Sequence, residues 1–188
     1  MTWFIAAGLL PAAAVLATDP AAEAARLNRL GAATLHSNSP TALRDALAVF
    51  QQAVDLQPQN ASYWGDLGGA ALLVAQRDRS YFMAVRGRDD LEKAVLLNPA
   101  DLDAREGLMQ FYGIAPWPLG DEDRARSEAA EIGNRNASRG ARAECSLGKI
   151  FEKKQENSLA LSAYRAALRF DPKSERASQA IKRLAPAP

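Results

Sequence analysis

One short pattern recurs along this chain and narrows its possible folds. Ala46, Phe50, Ala53 and Pro58 return at identical spacing as Ala160, Tyr164, Ala167 and Pro172. Leu91, Ala94 and Pro99 form a shorter version between them. Trp64, Leu67 and Gly68 stand ahead of the second Pro; Leu147, Gly148 and Phe151 stand ahead of the last. Small and large residues alternate here at helical spacing, and each run is closed by Pro. Small residues let antiparallel helices approach. Large ones fill the space beside them. Pro ends a helix because it lacks a donor and disfavours helix in the preceding residue. Asn60, Asn98 and Asp101 lie beside the first two Pro residues, where turns and helix N-caps want a short polar side chain.

These positions resemble the tetratricopeptide repeat (TPR) family, whose unit reads W-x2-L-G-x2-Y, then A-x3-F, then P. The resemblance implies an all-α fold: a right-handed α-solenoid of about four helix pairs and a C-terminal capping helix. With Pro near the end of each unit, the units are 27–60, 61–101, 102–140 and 141–174. The first and last have the family's length; the middle two carry insertions. One helix pair cannot bury its apolar face alone, so stacked pairs share a core. Residues 175–184 read as the polar cap, and 185–188 as a frayed tail. The repeat domain therefore spans 18–184.

The insertions mark unusual segments. Residues 76–88 read as prolonged helices, with Tyr81, Phe82 and Val85 packed between them. Residues 113–120, Gly-Ile-Ala-Pro-Trp-Pro-Leu-Gly, are too rich in Pro and Gly for helix. Trp117 is expected to fold back on the core, as apolar loop residues usually do. The alternative is a rim contact for a partner.

Residues 1–17 contain no charged side chain and end Val15-Leu16-Ala17, before the polar Thr18 and Asp19. This reads as a secretory signal peptide cleaved after Ala17, although no Lys or Arg precedes the apolar run. It is short for a membrane span, which needs about 20 apolar residues. No Cys follows it that could carry a lipid. The alternatives are a misplaced start or a buried apolar helix. The expectation is a periplasmic or secreted protein, without a stable span after cleavage.

Chemistry is sparsely supplied. His36 is the only His, and it stands where the first helix should end, a place that suits a positive charge. Catalytic dyads and His-based metal sites elsewhere lack a base or ligand. Cys145 is the only Cys, so no internal disulfide or thiolate cluster is possible. Gly65, Gly68 and Gly69 lie in a helical pattern and are no phosphate loop. Asp121, Glu122 and Asp123 suit a helix start and lack the ligand pattern of a calcium loop. No enzyme activity, cofactor or metal is expected.

The net charge is +1, unevenly placed. Residues 18–138 hold 12 Lys or Arg against 17 Asp or Glu, net −5; residues 139–188 hold 11 against 5, net +6. There is no dense basic run and no recognition module, which argues against nucleic acid. In the TPR family the first helices line a concave groove. The resemblance places there Asn28, Gly31 and Leu35; Ser62, Gly65, Gly69 and Leu72; Asp103, Glu106 and Gln110; and Arg142, Cys145 and Lys149. The third unit would be acidic and the fourth basic. The family's carboxylate clamp is absent: Gly31, Leu35, Asp66, Asp103 and Gly107 stand where its cations would. The expected function is a non-enzymatic scaffold or adaptor that binds a partner peptide or helix, within an envelope assembly or secretion system. The alternative is a small-ligand-binding accessory of a transport system.

Overall fold

The computed structural model describes residues 19–37 and 39–185. The proposed signal segment and the last three residues of the proposed tail lie outside them. Nine helices are described: α1 (Pro20–Leu35), α2 (Ala42–Leu56), α3 (Ala61–Asp78), α4 (Tyr81–Leu97), α5 (Leu102–Ile114), α6 (Glu122–Arg135), α7 (Ala137–Lys153), α8 (Asn157–Phe170) and α9 (Glu175–Leu184). They form four antiparallel pairs and a final single helix, an all-α solenoid. No described helix is long and apolar enough to cross a membrane.

Local chemistry sets the boundaries. Asn60, Ser80, Asp101, Asp121, Asn136 and Ser174 each accept a backbone N–H of the helix they precede. Each such cap is worth about 1 kcal/mol. Pro58, Pro99 and Pro172 follow one residue after the C-caps Gln57, Asn98 and Asp171. Arg79 reverses the chain between α3 and α4 in a left-handed conformation, φ 51°. The inserted residues of the second unit therefore lengthen both helices, as expected. The fourth unit begins earlier than 141. Asn136 caps the end of α6 and the start of α7 at once, so no Pro is needed there.

Packing explains the recurring residues. The backbones of α3 and α4 cross at Gly68 and Gly87; a Cβ on Gly68 would lie 2.9 Å from the Gly87 carbonyl oxygen. Leu67, Phe50, Leu147 and Tyr164 are buried. Two core clusters result, one over α1–α3 and one over α4–α9, and the half-buried Trp64 packs on both. Its Nε1–H donates to the Pro58 carbonyl at 2.8 Å, which pins the turn between the first two pairs.

Two expectations fail here. Tyr81 and Phe82 do not pack between helices; they are 62% and 73% exposed. They lie on the outward side of the first turn of α4, whose Met83 and Ala84, like Val85 after them, are half-buried. Trp117 does not fold back on the core and is 89% exposed. The loop closes on itself instead. Leu119 and Gly120 N–H groups donate to the Pro116 carbonyl, and Asp121 N–H donates to the Tyr112 carbonyl. That tight return leaves the indole outside.

Candidate interaction surface

First helices touch one another along the stack: α1 meets α3, α3 meets α5, and α5 meets α7. Second helices approach their counterparts less closely and are bridged by long side chains, Arg86 to Gln51 and Arg124 to Glu92. A stack packed more tightly on one side curves toward it, so the first helices line the concave face. Polar links run between them. Asn28 Nδ2 donates to Asp66 Oδ2 at 2.8 Å, joining α1 to α3. Arg139 Nη2 of α7 donates to Asp103 Oδ1 at 2.5 Å and Glu106 Oε2 at 3.1 Å, joining α7 to α5. Burial raises the Asp66 pKa; the Asn28 bond opposes this, and the Asp101 and Asp103 charges add to it.

The expected groove residues divide. Ser62, Asp103, Gln110, Arg142 and Lys149 are exposed, and Asn28, Gly65, Gly69 and Glu106 are partly so. Gly69 has open space where a side chain would be. The others face inward. Gly31 is buried, because the Phe50 ring of α2 occupies its side; a Cβ there would lie 2.7 Å from a ring carbon. Cys145 is 2% exposed and belongs to the core, where burial raises its thiol pKa. Leu35 is half-buried and packs on the edge of the first core cluster. Leu72 packs on the second and against Gly87 of α4. Gly31 and Cys145 are corrected: they are buried between helices and do not line a groove, whereas Leu35 and Leu72 are half-buried at its margin.

The expected acidic-to-basic step is also altered. Arg139, missed in the sequence, pairs with both acidic groove residues of the third unit. Arg142 hydrogen-bonds Ser138 on its own helix at 3.1 Å. The acidity of the strip is thus partly offset from within.

Unpartnered apolar surface lies elsewhere. In antiparallel pairs, the end of α3, the start of α4, the end of α5 and the start of α6 share one edge of the stack. Tyr81, Phe82, Ile114 (63% exposed) and Trp117 lie at those ends. Leu96, 74% exposed, lies near the opposite end of α4. Among the described residues, no three His, Cys, Asp or Glu side chains are grouped to hold a metal ion.

Among solved structures, the chain is similar to MamA, with a TM-score of 0.62 and 23% identity over 85% of this chain and 84% of that one. It is likewise similar to TTC0263, a thermophilic TPR protein of Thermus thermophilus, with a TM-score of 0.63 and 18% identity over 89% of this chain and 81% of that one. The chain has a TPR-like fold. No protein-family model matches the sequence, and no curated protein matches it.

Proposed function

We propose that this protein is a non-enzymatic scaffold that binds a peptide or helix of a partner protein. The TPR-like fold supports this reading, since a stack of preorganised helices presents spaced contacts at little ordering cost. The observation that carries it is the exposed aromatic edge. Tyr81, Phe82 and Trp117 stand clear of a stack that buries its other large aromatic side chains, apart from the half-buried Trp64 and Phe170, among the described residues. Aromatic anchors of this kind carry most of the energy in protein interfaces. The partner segment lies along the concave strip near Ser62, Gly69, Asp103 and Gln110, with its apolar side chains on the edge.

The finer reading places the protein outside the cytoplasm, in an envelope assembly or secretion system. The charge-free segment 1–17 with its Val15-Leu16-Ala17 ending motivates this. Intact-mass measurement after bacterial expression tests export: a chain beginning at Thr18 supports it, and an uncleaved cytoplasmic chain opposes it. Capture from the native envelope fraction tests the scaffold. Wild type should retain one partner that the Phe82→Ala/Trp117→Ala variant loses.

A further inference from the structure

Three charged side chains are buried among the described residues: Arg105, Asp90 and Glu144. Two have partners. Arg105 pairs with Glu128 at 2.6 Å and donates to the Pro99 carbonyl at 3.0 Å. Asp90 lies 3.7 Å from Arg86. Glu144 is the most buried, 4% exposed, and no described side chain hydrogen-bonds to it. Leaving a carboxylate buried without a partner costs several kcal/mol. A Gln or Met would avoid that cost, so the carboxylate calls for a functional explanation.

Its surroundings supply one. Glu144 projects from α7 into a cavity of about 270 Å³ between α6 and α8. The cavity exists because second helices splay apart on the convex side. Its walls carry Asp123, Arg126 and Ser127 from α6 and Ser162 and Arg169 from α8. Arg126 reaches toward Ser162 at 3.5 Å and Asp123 at 4.0 Å, and both arginines are exposed at the mouth. The cavity thus has a buried carboxylate in its wall and a rim with two arginines against one aspartate. Its volume suits one amino-acid-sized molecule.

We propose that this convex cleft is a second binding site, for a small zwitterion whose ammonium or guanidinium group meets Glu144 and whose carboxylate meets Arg126 and Arg169. Arg169 and Arg126 attract Glu144 without hydrogen-bonding it, so an inserted cation would be its first direct partner, and the Ser127 and Ser162 hydroxyls line the same cavity and can accept further N–H donors. Burial raises the Glu144 pKa to about 7, against the pull of Arg169 and Arg126. A bound cation favours the ionised form, so binding at neutral pH releases a proton. This site is separate from the concave strip and edge, and neither reading depends on the other.

The same ammonium-and-carboxylate pair occurs on a free amino acid and on a peptide lysine beside an acidic residue. Calorimetric titration of the folded chain with 6-aminohexanoate, lysine, hexylamine, hexanoate and acetyl-Lys-Glu-amide separates these sources. 6-Aminohexanoate or lysine should bind more tightly than hexylamine, and hexanoate least. Tighter binding of the blocked dipeptide would assign the site to a partner's lysine and overturn the free zwitterion. Glu144→Gln should weaken binding at least tenfold and abolish the proton release, read from titrations in two buffers of different ionisation enthalpy. Arg126→Gln/Arg169→Gln should make 6-aminohexanoate and hexylamine bind alike. Circular dichroism checks that each variant is folded. No saturable binding by wild type, or equal binding by a folded Glu144→Gln variant, overturns the proposal.

Discussion

Arg139 of α7 reaches back to α5 and holds Asp103 and Glu106 together, at 2.5 Å and 3.1 Å. This one guanidinium ties the third repeat to the fourth and offsets one of the two negative charges it bridges on the concave strip. Its partners are partly exposed, so its role is to set the field of the surface more than to hold the fold.

Replacing it by Ala should therefore cost about 1 kcal/mol or less in stability, read from thermal or denaturant melts. The same change uncovers Asp103 and Glu106 beside Asp66. Cationic peptides should then associate faster, and the gain should fade as salt is raised, because exposed charges are screened over about 8 Å at physiological ionic strength. A large stability loss would show that the bridge is structural.

Two glycines of the first helices should respond in opposite ways. Gly31→Val puts a branched side chain where the Phe50 ring sits, with the Cβ alone at 2.7 Å. The cost of such overpacking is about 1–3 kcal/mol or more. Gly69→Ala meets nothing within 4 Å. Helix propensity should make it stabilising, by up to about 1 kcal/mol. Melting both variants tests the register of α1 and α3; equal losses would contradict it.

Glu144 makes stability depend on pH in a definite direction. Its carboxyl ionises near 4.5 without the fold and near 7 within it, because burial outweighs the attraction of Arg169 and Arg126. The native state thus binds the extra proton between those values, and stability falls as pH rises. The contribution is full below pH 4.5 and lost through pH 7. It is on the order of a few kcal/mol. Asp123, Arg126 and Arg169 are the charged groups on the neighbouring helices that line its cavity. Glu144→Gln should remove the slope between about pH 6 and 7 and be the more stable protein at pH 8. A comparable slope of the same sign should remain at lower pH from Asp90, raised to about 6 by burial against the pull of Arg86 and with help from Asp89. Urea melts from pH 4 to 8 decide this, and an unchanged slope would contradict it.

The helix pairs were legible because each marker has one physical meaning. Pro58, Pro99 and Pro172 each follow a run of helical periodicity and so mark its end, and Asn60 and Asp101 cap the helix that starts after them. The face of each first helix was harder to read. A first helix meets its own partner, both neighbouring repeats and solvent, and a small residue suits either close packing or an open groove. Gly31 and Gly69 illustrate this: one lies under Phe50 and the other faces open space. Arg139 was hidden because no Pro marks the junction at Asn136, which left it at the end of the third unit, 102–140, rather than on α7. Glu144 left a usable signal. It shares the buried face of α7 with Gly140, Ala141, Leu147 and Gly148, a position where a charge is out of place. Trp117 carried none, since a Pro-rich loop permits an aromatic side chain to turn either way.

The central claim is that partners dock along the edge marked by Phe82 and Trp117. A photo-crosslinking residue placed singly at positions 82, 117 and 165 tests it most directly, since Arg165 is an exposed residue of the second helix α8. In the native host, 82 and 117 should crosslink to the same partner, and 165 should not. Crosslinks from 165 alone, with 82 and 117 silent, would contradict the account.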